Sequence, residues 1–131
     1  MNGYLLDTAT FLWAIAGGEE KLPKKVLAIL QKPKHPLYVS AVSSLEISIK
    51  YSLGKLPLKA PPSQWLPAIF AKGYFRLLEI SHQHVLHLDQ LPFHHKDPFD
   101  RLLVCQAKSE NLHILSPDKI LKKYTPHVFW K

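Results

Sequence analysis

The chain has 131 residues, 47% of them hydrophobic, and a net charge of +7 from seventeen Lys and Arg against ten Asp and Glu. That length supports one domain, 1–131, with a sizeable core, and the hydrophobic content excludes a disordered chain. No apolar run approaches the roughly 18 residues of a membrane span, and Asp7 interrupts the N-terminal apolar stretch, which argues against a signal peptide. The single cysteine, Cys105, cannot form an internal disulfide, so a small core residue in a reducing cytoplasm is expected.

In chain order, Gly3–Leu6 reads as a buried strand, followed at once by a helix from Thr8 to about Ala16. Phe11, Leu12 and Ile15 face its core, and Gly17-Gly18 end it. Pro23 opens a second helix with Val26, Leu27 and Leu30 as its stripe, closed by Pro33 and Pro36. Leu37–Val39 is a second strand. Ser40 caps a helix running to about Leu53, with Gly54 at its end. Its apolar stripe is Val42, Leu45, Ile49 and Leu53, and Glu46 lies beside it. A Lys- and Pro-rich loop, 55–62, leads to a helix from about Ser63 to Lys72 that stops at Gly73.

Phe75–Ile80 reads as a third strand. Ser81 then caps a helix to about Gln90, with Val85 and Leu86 inward and Leu88 as a further inward candidate. After a loop, 91–96, Asp97-Pro98 starts a helix: Asp97 suits the N-cap, and Pro98, with its preset φ and missing donor, suits N1. Leu103 and Cys105–Ala107 carry its inner face. Leu112–Leu115 is a fourth strand. Ser116-Pro117-Asp118 opens a last short helix ending near Tyr124, and His127–Trp130 is a candidate edge strand. Strands alternating with helices predict an α/β fold with a mainly parallel sheet of four to five strands flanked by helices.

Five of the ten acids, Asp7, Glu46, Asp97, Asp100 and Asp118, lie where such a sheet can gather them. Sites in open parallel sheets form at the carboxyl ends of strands. Asp7 follows the first strand, Asp118 the fourth, and Glu46 rides the helix after the second. Asp97 and Asp100 share the first turn of one helix. Clustered carboxylates repel and protonate unless a cation joins them, and hard oxygen donors favour Mg²⁺ or Mn²⁺ over zinc. The chemistry that fits is metal-dependent phosphodiester hydrolysis. The basic remainder of the chain suits a polyanionic substrate, with Lys50, Lys55, Lys59, Lys72 and Arg76 as candidate contacts.

Each acid also has a structural reading. Asp97 can cap its helix and can pair with Arg101 at i,i+4. With Asp97 as the cap, Asp100 is left for the site. Asp7 can cap the first helix, and Asp118 can complement a helix dipole with Ser116 as the N-cap. Glu46 is the hardest to place as structure, since an unpaired buried carboxylate is costly. The histidines at 82, 84, 87, 94 and 95 lack His-Glu-x-x-His spacing and read as surface or core residues, with His95 near enough to the acids to reach a phosphate. Walker, dinucleotide and nucleophile-elbow motifs are absent.

Four segments resemble the PIN-domain family, most closely its VapC-type toxins of bacterial toxin–antitoxin pairs. They are Tyr4-Leu5-Leu6-Asp7-Thr8 with Leu12-Trp13, Ser43-Ser44-Leu45-Glu46-Ile47, His95-Lys96-Asp97-Pro98-Phe99-Asp100-Arg101-Leu102-Leu103, and Leu115-Ser116-Pro117-Asp118. The third is the most specific and resembles an Asp-Pro-Phe-Asp-Arg subgroup. Ser116 stands where the family often has Thr, which keeps the hydroxyl. The resemblance implies that Asp7, Glu46, Asp100 and Asp118 bind metal, with Asp97 accessory at the rim. It also implies that Thr8 and Ser116 orient carboxylates or a water on the metal. A Mg²⁺- or Mn²⁺-dependent ribonuclease is implied, with a homodimeric state and a small antitoxin that blocks the acidic site. The competing expectation is a non-catalytic PIN-like module that binds RNA or protein.

Overall fold

The computed structural model describes all 131 residues. Five strands, β1 (Gly3–Leu6), β2 (Leu37–Ser40), β3 (Arg76–Leu78), β4 (Leu112–Leu115) and β5 (Val128–Phe129), form one sheet in the order β3-β2-β1-β4-β5. Every neighbouring pair is parallel. Six helices flank it: α1 (Thr8–Ile15), α2 (Lys24–Gln31), α3 (Ala41–Ser52), α4 (Pro62–Ala71), α5 (His82–Leu86) and α6 (Pro98–Glu110). The parallel α/β architecture is the one expected from the alternation of apolar runs and helical stripes. No helix is long and apolar enough to cross a membrane.

Pleating divides the strand residues between two cores. Leu5 and Ile114 pair in register and join the core beneath α6, with Leu103, Val104, Cys105 and Ala107. Leu6 and Leu115 also pair, and join Phe11, Val26, Val39, Ile47 and Leu66 on the opposite face. Both faces of the central strands are therefore covered, which explains their apolar runs without alternation. Gly3 is required at the start of β1, because its φ is +155° and an added Cβ would lie 2.7 Å from the carbonyl oxygen of Pro36. Asn111 ends α6 in the left-handed region and turns the chain directly into β4.

Several elements differ from their sequence expectation. On α3 the buried side chains are Val42, Ser43 and Ile47, whereas Leu45, Ile49 and Leu53 are exposed. Small Ser43 brings α3 close to α1, where it meets the Thr8 hydroxyl at 2.9 Å, and that contact sets the helix rotation. Val85 and Leu86 are also exposed. The inward residue of α5 is His84, whose Nδ1 accepts the Ser81 N–H while the Ser81 hydroxyl accepts the His84 N–H. This reciprocal box fixes the start of the helix, which ends at Leu86, and Leu88 and Leu91 reach the core from the following 3-10 turn and its cap. The third strand shortens to three residues: Phe75 lies outside the ladder and packs edge-on against Phe11, with ring centroids 5.4 Å apart, and pairing with β2 stops at Leu78, opposite Ser40, which ends β2 and caps α3. The last helix is a 3-10 turn, Lys119–Lys123, capped by Asp118 and not by Ser116.

Phe11 is fully buried among the rings of Trp65, Phe70 and Phe75. Phe11→Ala is expected to lower unfolding free energy by about 3–5 kcal/mol, measured by urea denaturation.

Candidate active site

Two adjacent parallel strands create the site. Leu6 and Leu115 are register partners, so β1 and β4 end side by side, and the residues after them, Asp7 and Ser116–Asp118, meet. Asp7 caps α1: its Oδ1 accepts the Thr10 N–H at 2.9 Å. Its Oδ2 accepts the Ser116 hydroxyl at 2.5 Å. The Ser116 Oγ in turn accepts the Asp118 N–H at 3.0 Å, which ties the two acidic turns together. Asp118 uses Oδ1 to cap its 3-10 turn through the Ile120 N–H, leaving Oδ2 toward the site.

The first turn of α6 brings Asp97 and Asp100. Asp97 is the N-cap, its Oδ1 accepting the Phe99 N–H at 2.8 Å and the Asp100 N–H at 3.4 Å. Asp100 is freed from capping and faces the other acids. The third member of this group is His95. Its Nε2 lies 2.7 Å from Asp118 Oδ2 and 3.2 Å from Asp100 Oδ2. Its Nδ1 accepts the Asp97 N–H at 3.0 Å, which assigns the ring proton to Nε2. His95, Asp100 and Asp118 thus present ligand atoms within 4.8 Å of one another.

Glu46 stands apart from that group. Its Oε1 accepts the Thr8 hydroxyl at 2.8 Å, and its Oε2 is paired with Lys50 at 2.6 Å. The structure therefore places Asp7, Asp100 and Asp118 as one charge-coupled set, and links Glu46 to it only through Thr8, which follows Asp7. Thr8 and Ser116 each hold one carboxylate.

Electrostatics follow from this crowding. Burial raises the pKa of Asp7 above the ordinary carboxylate range, against hydrogen bonds from Ser116 and Thr10, and the Asp118 charge adds to the rise. Asp100 is pushed up to about 7, first by desolvation and then by the charge of Asp97, with His95 opposing and Asp7 and Asp118 reinforcing. A set of hard oxygen donors that resist ionisation together fits a divalent cation, which would hold them charged.

The His95 loop is fixed by residues that sequence reasoning did not assign to the site. Arg101 does not pair with Asp97. Its guanidinium is buried and donates to the carbonyls of Leu88, Leu91 and Pro92 at 3.2, 3.1 and 2.9 Å. It also donates to the Tyr124 hydroxyl at 3.2 Å and stacks 4.0 Å from the Phe93 ring centre. Tyr124 Oη accepts the N–H groups of His94 and His95 at 2.9 and 2.8 Å. The available signal was a histidine two residues before a capping Asp-Pro, and an arginine followed at once by the inner stripe of α6.

Among the candidate basic contacts, Lys50 is taken by Glu46, whereas Lys59 and Lys72 border a different groove with Ile15 and Trp65. Arg76 lies on the edge strand β3.

The family model of the PIN domain matches residues 4–125. The chain belongs to the PIN-domain family. Ribonuclease VapC16 of Mycobacterium tuberculosis is 35% identical over 60 residues, 46% of this chain, and the match spans 43% of that protein's length. Solved structures share this PIN fold at lower identity. A chain of VapBC2 from Rickettsia felis, crystallised with a promoter DNA fragment, matches with a TM-score of 0.70 and 14% identity over 98% of this chain and 99% of that one. FitAcB from Neisseria gonorrhoeae matches with a TM-score of 0.64 and 18% identity over 96% of both chains.

The raised pKa of Asp100 gives a stability test. Unfolding returns the carboxyl to 3.8, so between about pH 4 and pH 7 the folded chain holds more protons than the unfolded one. Asp100 then lowers stability as pH rises, levelling off above 7. In EDTA, Asp100→Asn is expected to melt about 3 °C above the parent at pH 8, a modest gain because the group is partly exposed, and to lose that advantage near pH 4.

Proposed function

We propose that this chain is a metal-dependent endoribonuclease of the VapC type, the toxin of a type II toxin–antitoxin pair. The observation that carries the reading is the charge-coupled set of Asp7, Asp100 and Asp118 at the joined ends of β1 and β4. A structural role accounts for one oxygen of Asp7 and one of Asp118 as caps, and for none of Asp100. The match to Ribonuclease VapC16 supports the reaction class.

Asp7, Asp100 and Asp118 would hold Mg²⁺ or Mn²⁺, with Glu46 joining when Lys50 releases it. Bound there, such an ion supplies Lewis acidity toward a phosphate oxygen and lowers the pKa of an attacking water. The protein's own residues prepare the site. Ser116 donates to Asp7 and keeps its second oxygen aligned, and Thr8 does the same for Glu46. His95 spaces Asp100 and Asp118, with its single Nε2 proton shared between their Oδ2 atoms. Asp97 holds the helix start that aims Asp100.

The partners follow from the same reading. A cognate antitoxin would block the acidic focus with a basic side chain. The exposed stripe Leu45, Ile49 and Leu53 on α3 is an apolar face available to a homodimer.

Asp7→Asn and Asp100→Asn are each expected to lower Mn²⁺-dependent cleavage of a defined RNA on the order of a hundredfold or more while circular dichroism stays native. EDTA should abolish cleavage and added Mn²⁺ restore it. Unchanged cleavage in both variants, or in EDTA, would overturn the proposal; RNA affinity without any cleavage would favour the non-catalytic module.

A further inference from the structure

A second feature borders the acids and is not used by the chemistry above. A groove of about 300 Å³ is lined by Ser116, Asp118, Lys119, Lys122 and Trp130, among others. We propose that this groove is a subsite for single-stranded RNA, in which one unpaired base stacks on the Trp130 indole and neighbouring phosphates lie on Lys119 and Lys122. The inference rests on the ribonuclease reading and extends it to how the strand is held.

The groove and the acid set share Asp118, so a strand lying in one reaches the other without a gap. Trp130 is the groove's one aromatic lining residue, which leaves a single flat π-surface beside Pro117 and among three lysines, Ser116 and Asp118. Its indole is half-buried and braced by Trp13, with centroids 5.8 Å apart and planes tilted by 50°. A braced ring loses little rotamer freedom when a base stacks on it. Lys119 and Lys122 belong to the 3-10 turn, where residues three apart eclipse, so both ammonium groups leave the same side. Both are exposed, and neither has a carboxylate partner.

An acidic protein would also satisfy the lysines. It would give the indole no matching π-face and would bring more carboxylates toward Asp118. A single strand of RNA supplies both the phosphates and an accessible base face. A fully paired duplex offers no such face.

The test is binding without cleavage. A fluorescently labelled single-stranded RNA oligonucleotide is titrated in EDTA with the parent, Trp130→Phe, Trp130→Ala and the double variant Lys119→Ala/Lys122→Ala. Fluorescence anisotropy is read at several salt concentrations, and circular dichroism confirms the fold. The expectation is near-parent affinity for Trp130→Phe and roughly tenfold weaker binding for Trp130→Ala. The double lysine variant should lose about 1.4 from the slope of log affinity against log salt, two phosphates' share on a single strand. A blunt duplex should bind at least tenfold more weakly than the single strand.

Parent-like affinity of Trp130→Ala, equal binding of duplex, or no RNA binding by the parent would overturn the subsite. So would poly-glutamate competing as well as RNA at equal charge, which would assign the groove to an acidic protein. If Mn²⁺-dependent cleavage persists while these variants bind normally, the groove fails and the ribonuclease reading stands. If Trp130-dependent binding occurs without cleavage in Mn²⁺, the reverse holds.

Discussion

The repulsion among Asp7, Asp100 and Asp118 is the constraint around which this structure is arranged. Burial at one sheet edge raises the pKa of Asp7 and of Asp100, and the charge of Asp118 adds to both rises. The fold holds them there with short hydrogen bonds to backbone and hydroxyl groups. Asp7 and Asp118 each spend one oxygen on a helix or turn cap, which fixes the carboxylate plane while the other oxygen faces the site. Asp97 does the capping for α6, so Asp100 needs to do none. Capping and the acid set are thus divided between neighbouring acids, and in two cases between the two oxygens of one acid.

Much of this was legible in the chain. The strand-then-acid pattern at Leu6-Asp7, the Asp-Pro start of α6 and the apolar runs of β1, β2 and β4 each follow from local chemistry. Local chemistry is what short-range sequence patterns record. The rotation of α3 was not legible, because Val42, Leu45, Ile49 and Leu53 form as regular a stripe as any buried one. Periodicity identifies an apolar face but not what covers it, and here a Thr8–Ser43 contact turned the helix the other way. His95 was also beyond reach as a neighbour of Asp118, since the two lie 23 residues apart and meet only through tertiary folding.

Arg101 shows why a charged residue can sit on the inner side of a helix. Its planar fork reaches the carbonyls of Leu88, Leu91 and Pro92 in the turn before α6, and its face rests on Phe93. A lysine would bring one point charge and could not span those acceptors with fixed geometry. The same guanidinium polarises the Tyr124 hydroxyl, which takes the backbone N–H groups of His94 and His95. The loop that carries His95 is therefore built from α6, the helix that also carries Asp100. Displacing either would move both.

Charge distribution completes this logic. A net charge of +7 is spread over a body whose acids are partly gathered at one place. Apart from that place, Glu46 is paired with Lys50 at 2.6 Å, which leaves one acid neutralised without an external cation. Lys119 and Lys122 lie just outside, on the turn that Asp118 itself caps. The distance between attraction and chemistry is then set by one residue: the carboxylate that begins the turn belongs to the acid set, and the cations that continue it face the groove. Under the proposed ribonuclease reading, a polyanion steered by the long-range positive field would meet those lysines before the acids. On that reading, the close junction of opposite charges at Asp118–Lys119 would give an approaching strand a direction as well as an affinity.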